Sequence, residues 1–397
     1  MNGNTVIFCG DFCLAGDEVE SQLRSSPIDL WDTVRGIMCE QSAVVANLEC
    51  AVTDAINGRP YKWANLKMNP RLHRVLDGLS MAVLGNNHVG DFGEQGVKDT
   101  LAVLAEKNIP TVGVGQTLNE AVEPAILYLN GLRLGIVSLC CPTTNSEYNA
   151  THENPGVAPL GIATLRQAIE GARVKCDALV AYLHWGVEYA HDPAPDQLRL
   201  ARLAIDYGAD AVVGCHAHVI QSYEQYRGRW IFYGLGNFLF RRGPVYPPRE
   251  DGTREAVPEG LTMASRESLA VSFRICQEDG SVCLKLVCVQ PMRFDDDNVP
   301  RPVDIKQLSF DLSAANKQLG RYACRNNKLL TSRDELLFHA RLLNGVLTYW
   351  YALETINPKP QYTPYTLWLD VARRLKSPVR RLVRFMSNYK PFAMKPR

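Results

Sequence analysis

The chain lacks any run of about 18 apolar residues, the length a helix needs to cross a bilayer, so no helical membrane span is expected. None of its 12 cysteines falls in a CxxC pair or at zinc-knuckle spacing, which argues against a zinc ribbon or a thioredoxin-like redox motif. Its first residues, Met1-Asn2-Gly3-Asn4, lead straight into Thr5-Val6-Ile7-Phe8-Cys9-Gly10-Asp11, with no basic stretch, apolar core or cleavage site before them. Unframed thiols and the missing leader together predict a reducing, cytoplasmic setting. No internal repeat or low-complexity stretch appears. Acid is absent from residues 371–397, where Arg373, Arg374, Lys376, Arg380, Arg381, Arg384, Lys390, Lys395 and Arg397 give a charge of +9. The whole chain carries only +1, so the first 370 residues hold −8.

What is present is an ordinary globular composition: 397 residues, 46% hydrophobic and 21% charged, enough for one large domain with additions or for two domains. Residues 5–11, 43–49 and 81–87 read as buried strands of β-branched and small apolar residues. A polar loop over 53–69 leads to a short helix from Pro70. Val97, Leu101 and Leu104 set a helix over 94–107, followed by a short strand at 111–115. A hairpin over 125–141 turns at Asn130-Gly131. Helices near 162–174 and 195–207 alternate with strands at 178–184, 210–216 and 229–240. A second hairpin covers 269–294 around Asp279-Gly280. Residues 241–265, rich in Pro, Arg and Glu, read as a surface loop. Residues 305–355 read as helical, with Leu336, Leu337, His339, Ala340, Leu343 and Val346 at helical spacing. The layout is α/β with a mixed sheet or two stacked sheets, and a boundary is expected near 300, giving domains 1–300 and 301–397.

Five of the apolar runs stop at residues able to bind a metal: Asp11, Glu49 in Asn47-Leu48-Glu49, Asn86-Asn87-His88, His184 before Trp185-Gly186, and the pair His216 and His218. Singly these have plain readings, Asp11 as a turn or cap residue and His184 as a satisfied core histidine. Glu49 is harder to dismiss, because a carboxylate ending an apolar strand is costly if buried unpaired. His216 and His218, at i and i+2 of an extended segment, would point the same way. Together they predict strand ends delivering imidazole and carboxylate donors to one cleft. Such donors suit divalent Mn, Fe or Zn, and two ions roughly 3.5–4 Å apart can activate water and stabilise a leaving oxygen.

In this order the motifs resemble the capsule-synthesis CapA (poly-γ-glutamate capsule, PGA_cap) family, a branch of the calcineurin-like metallophosphoesterases. They are Gly10-Asp11; Asn47-Leu48-Glu49; Asn86-Asn87-His88 with Asp91 and Gly93; His184-Trp185-Gly186-Val187-Glu188-Tyr189; His216-x-His218-Val219; and Tyr233-x-x-Gly236-Asn237-Phe238. The resemblance covers about residues 4–295. It implies a four-layer α/β/β/α metallophosphoesterase-like sandwich, here with a helical, basic C-terminal extension. It implies one or two divalent ions held by Asp11, Glu49, Asn87, His184, His216 and His218. It also implies that His88 protonates the leaving group, with Asp91 fixing the imidazole tautomer. Asn237 and Tyr233 mark a turn near the site.

The sequence departs from the superfamily pattern at Cys13, where a histidine is usual, and at Cys215, where many relatives carry another histidine. Cys13 reads as a packed thiol, with soft-metal ligation as the alternative. The basic tail has three readings: a solvated capping helix kinked at Pro378, an interfacial helix drawn to anionic lipid through 371–397, or a nucleic-acid contact. The last is disfavoured by the absence of stacking aromatics and glycine-rich loops nearby. Two functions follow. One is a metal-dependent hydrolase of a phosphoester or γ-glutamyl/amide bond acting on a small-molecule or polymer substrate. The other is a non-catalytic accessory factor for capsule synthesis and export. The expected location is cytoplasmic, with the tail peripheral to the inner face of the membrane.

Overall fold

The computed structural model describes residues 4–16, 31, 34–36, 42–59, 62, 64–144, 148–241, 243 and 260–325, with side chains through residue 320. Fourteen strands of these residues form two sheets. The first contains β1 (Thr5–Leu14), β2 (Ala43–Leu48), β3 (Met81–Val83) and β4 (Thr111–Val112). The second contains β5 (Ala125–Leu129), β6 (Leu132–Cys140), β7 (Ala178–His184), β8 (Ala211–Cys215), β9 (Tyr223–Tyr226) and β10 (Arg229–Phe232). The chain then returns to the first sheet with β11 (Asn237–Arg241), β12 (Glu267–Glu278), β13 (Ser281–Phe294) and β14 (Pro300–Pro302). The first sheet runs β14-β13-β12-β1-β2-β3-β4, with β11 also paired to β1; the second runs β9-β10-β8-β7-β6-β5.

β1, β2, β3 and β4 pair in parallel, as do β6, β7, β8 and β10. Parallel strands covered on both faces read as continuous apolar runs, and every residue of β1 and β7 is buried. Val6 and Phe8 of β1 pack against Tyr182, Phe232 and Phe273 between the sheets, whereas Ile7 and Cys9 face outward. Burial of a phenylalanine of this kind contributes about 1.5–3 kcal/mol. Helix α1 (Gly93–Glu106) covers the outer face of the first sheet through Val97 and Leu104. Helices α2 (Ile162–Arg173) and α3 (Pro195–Asp206) cover the second through Leu165, Ala168 and Ile169 and through Leu198, Ala201 and Ile205. The result is the helix–sheet–sheet–helix sandwich that the motif order implied.

Both hairpins turn where expected. Asn130 and Gly131 have φ of 48° and 82°, and Asp279 and Gly280 of 49° and 77°, the positive values a tight two-residue turn requires. Four strands differ from the sequence reading: the 111–115 run divides at Gly113 (φ 98°), its Val114–Gly115 half pairing with Gly156–Val157 outside the first sheet, and three others depart as follows. β1 continues to Leu14, so Asp11 lies inside it rather than at its end. The 81–87 run leaves the sheet after Val83. The single strand expected over 229–240 is two strands in different sheets, because Gly236 (φ 75°) turns the chain between them. Gly10 and Gly236 touch so closely that a Cβ on Gly10 would stand 1.9 Å from the Gly236 carbonyl oxygen.

The first of two compact units comprises Met1–Gly320. Its last part is tied down where Ser309 donates from its backbone N and its Oγ to Glu267, and where Leu308 and Leu312 join the inter-sheet core. Helix α4 (Leu312–Arg325) begins there. The helical reading of 326–355, most of the 241–265 loop and the basic tail 371–397 lie outside the described residues. Among the described residues no helix is long and apolar enough to cross a membrane.

Candidate metal centre

The carboxyl ends of β2, β7 and β8 and the middle of β1 meet at one crevice, near where open α/β sheets bind ligands. Asp11 sits at a bulge in β1: the register with β2 shifts between Cys9 and Asp11, and that with β11 between Asp11 and Phe12. A bulge re-aims a side chain, and Asp11 is fully buried. Glu49 directly follows β2, its N–H donating to Phe12 O at 2.8 Å. After β3, Asn86 folds the chain back. Its Oδ1 accepts from the backbone N–H of His88 and of Val89, and its Nδ2 donates to Leu48 O and to Asn47 Oδ1. His184 is the last residue of β7, and His216 follows β8.

His216 and His218 are not extended. Their φ values are 90° and 54°, a left-handed conformation that costs a side-chain-bearing residue about 1–3 kcal/mol and concentrates at functional sites. The turn is pinned by the His216 N–H, which donates to Asp11 Oδ2 at 3.1 Å, and by the Tyr189 N–H, which donates to Ala217 O at 2.7 Å. The rings of His184 and His216 are 4.6 Å apart, and those of His216 and His218 5.9 Å.

His184 Nε2 lies 2.8 Å from Asn87 Oδ1 and 3.6 Å from Glu49 Oε1. His218 Nδ1 is 2.9 Å from Asn237 Oδ1, and its Nε2 is 3.8 Å from Glu49 Oε1. Two triads of donor atoms, each within 4.8 Å, share Glu49: Glu49 with His184 and His216, and Asp11 with Glu49 and His218. Two atoms of this set are buried without a hydrogen-bond partner, Glu49 Oε1 and His216 Nδ1. Burial, and then the neighbouring Asp11, hold the Glu49 carboxyl well above its usual range. Burial and the adjacent histidines push His184 and His216 well below theirs. Neutral imidazoles and buried carboxyl oxygens around one point are a donor set that a divalent cation fits, and each unpartnered buried atom otherwise costs about 1–3 kcal/mol.

Beside this set, His88 Nδ1 lies 2.7 Å from Asp91 Oδ2. The other Asp91 oxygen takes the ammonium of Lys62, which also donates to Asn87 O. Asp91 Oδ2 further accepts the Leu66 N–H at 2.6 Å. Burial, then Lys62, lower His88 from its ordinary value against the opposing pull of Asp91.

The structure therefore gathers Asp11, Glu49, Asn87, His88, Asp91, His184, His216 and His218 in one crevice. Cys13 is fully buried in the cluster on the outer face of the first sheet and belongs to none of the donor groups. Cys215 does reach the site, its Sγ 3.2 Å from His184 Nδ1. Sequence reasoning missed Lys62, and it placed Asn47 and Asn86 in motifs without giving either a role. Asn47 Nδ2 donates to Asp11 Oδ1 at 2.8 Å and approaches Glu49 Oε2 at 3.4 Å. An asparagine in the apolar run of β2 was a legible signal; a lysine in a polar loop was not.

The model of the bacterial capsule synthesis protein PGA_cap family matches residues 5–242. Over 245 residues the chain is 36% identical to the PGA biosynthesis protein CapA of Bacillus subtilis (strain 168), covering 59% of this chain and 63% of that protein. Over 170 residues it is 35% identical to the capsule biosynthesis protein CapA of Bacillus anthracis, covering 42% and 41%. A probable polyglutamine synthesis accessory protein of Mycobacterium tuberculosis is 30% identical over 205 residues, 49% of this chain and 54% of that one. The chain thus spans between two fifths and two thirds of the length of these relatives. Among solved structures, a putative 5'-nucleotidase from Staphylococcus aureus aligns with a TM-score of 0.43 at 12% identity, over 80% of this chain and 58% of that one. The calcineurin-like phosphoesterase YfkN from Bacillus subtilis aligns at 0.39 and 14%, over 80% and 96%.

Proposed function

The chain belongs to the bacterial capsule synthesis protein PGA_cap family, and from that premise we propose that it is a metal-dependent hydrolase of a phosphoester or γ-glutamyl/amide bond in capsule or related polymer synthesis. The observation that carries this reading is the pair of orphaned atoms, Glu49 Oε1 and His216 Nδ1, inside a convergent donor set. Asp11, Glu49, Asn87, His184, His216 and His218 would hold one or two divalent ions, Mn, Fe or Zn. Such an ion supplies Lewis-acid polarisation and makes water nucleophilic near neutral pH. His88 holds a proton at the nitrogen facing away from Asp91 and passes it to the leaving group. Asp91 keeps Nδ1 protonated, and Lys62 holds Asp91 in place.

A second reading, an accessory factor that binds substrate without turnover, rests on His88. Burial and Lys62 favour its neutral form, which is a poor proton donor unless an anionic substrate restores the charge. Elemental analysis of the purified full chain, followed by assays of a phosphodiester and a γ-glutamyl amide with added Mn²⁺, separates the two. Bound metal and turnover lost in His88→Ala support the hydrolase; a folded chain that takes up no metal supports the accessory. The cytoplasmic placement is part of the same proposal, supported by cysteines that fall in no CxxC pair or zinc-knuckle spacing. So is an anionic membrane partner for residues 371–397, which salt-sensitive sedimentation with acidic vesicles would test.

A further inference from the structure

We propose that Glu188 is a further metal ligand, closing the cation site at its mouth together with His216 and His218. This rests on the metal-binding reading above. With Asn87 beside His184, the triad of Glu49, His184 and His216 reaches four donors, whereas the triad of Asp11, Glu49 and His218 offers three, fewer than the four to six that Zn²⁺ or Mn²⁺ takes. On the solvent side, a carboxylate oxygen of Glu188 and nitrogens of His216 and His218 all lie within 4.8 Å of one another. Glu188 is exposed, and among the described residues no hydrogen bond or ion pair engages its carboxylate.

Its position is not that of a wandering surface side chain. Gly186, at φ 96°, turns the chain out of β7, and a side chain there would collide with Gln197. The Tyr189 N–H then ties the segment to Ala217, between the two histidines, and the Tyr189 and His218 rings lie 5.7 Å apart. Glu188 is therefore carried by a segment hydrogen-bonded to the turn that presents His216 and His218. Charge gives an independent argument. Asp11, Glu49 and Glu188 bring three carboxyl groups to the crevice, and Glu188 adds to the repulsion felt by Glu49. Lys62 is the cation that acts on Glu49, and it is committed to Asp91 and Asn87 O. Three acidic groups facing one committed lysine are relieved by a divalent cation between them.

The test measures binding of Mn²⁺ alone to the chelator-stripped full chain, by titration calorimetry and by elemental analysis after dialysis. Glu188→Gln is expected to weaken its weakest or sole bound ion about tenfold or more. Glu188→Asp is expected to fall between Glu188→Gln and wild type. Asp192→Asn removes the same charge four residues on and is expected to bind as wild type. Wild-type-like Mn²⁺ binding by Glu188→Gln overturns the inference while leaving the metal-binding reading intact. Equal weakening by Asp192→Asn also overturns it, since net charge alone would then account for the effect. A wild-type chain that binds no Mn²⁺ sinks the underlying reading instead.

Discussion

His88 Nδ1 stands 2.7 Å from Asp91 Oδ2, with neither side chain more than a tenth exposed. The contact commits one ring nitrogen to the carboxylate and leaves the other for chemistry. If His88 transfers a proton, His88→Ala lowers kcat by about 10²–10⁴ without loss of bound metal. Asp91→Asn lowers it less and disturbs the pH profile, because the amide cannot hold the same tautomer. Steady-state kinetics with elemental analysis on the same samples checks both.

Lys62 and Asp91 form a buried ion pair. Lys62→Met leaves Asp91 with a charge and fewer partners, although Leu66 N–H and His88 remain. Removing one member of such a pair costs about 3–5 kcal/mol. Urea unfolding should show that loss in Lys62→Met and a smaller loss in the Lys62→Met/Asp91→Asn double variant.

Glu49 behaves oppositely in the metal-free protein. Its folded-state pKa lies above the unfolded value of 4.5, so between the two the native chain binds more protons, and stability falls as pH rises through that window. In excess chelator at pH 8, Glu49→Gln should be more stable than wild type by on the order of 1–3 kcal/mol. The gain should vanish below pH 4.5, and metal uptake should be lost. A variant less stable than wild type at pH 8 would contradict this.

His88, His184 and His216 all have folded-state values below the ordinary 6.5. Below pH 6.5 the unfolded chain binds more protons, so metal-free stability declines as pH falls. The slope is at most about 1.4 kcal/mol per pH unit for each histidine, or about 4 for three. Glu49 opposes this with one group against three. Denaturant midpoints at pH 7, 6 and 5 in chelator measure the net slope.

Gly10→Ala places a methyl group against the Gly236 carbonyl. β1 and the Gly236 turn must separate, which breaks the hydrogen bond from Asp11 N–H to Gly236 O. Overpacking of this kind costs about 1–3 kcal/mol, and here it also moves Asp11. A melting-temperature drop accompanied by weaker Mn²⁺ binding is expected.

The fold was legible because its elements follow local rules: period-2 or continuous apolar strands, Asn130-Gly131 and Asp279-Gly280 at the turns, and Val97 and Leu104 on one helical face. The donor residues were legible because each interrupts an apolar run. What escaped was non-local. The bulge that turns Asp11 inward exists through pairing with β2 and β11. The left-handed backbone at His216 and His218 is held by contacts to Asp11 and Tyr189. Lys62 acquires its place only because the 53–69 loop closes over Asp91, which no local pattern announces.

Asp11 and Asn237 are register partners in adjacent parallel strands. The neighbour that completes this end of β1 therefore leaves the ribosome more than two hundred residues after Asp11 itself. Until β11 docks, one flank of the strand carrying the first acidic donor is unfinished. His184, His216 and His218 also emerge late. Any cation capture by these donors is accordingly a closing event of biosynthesis, and truncated products ending before Asn237 should be unable to assemble the crevice.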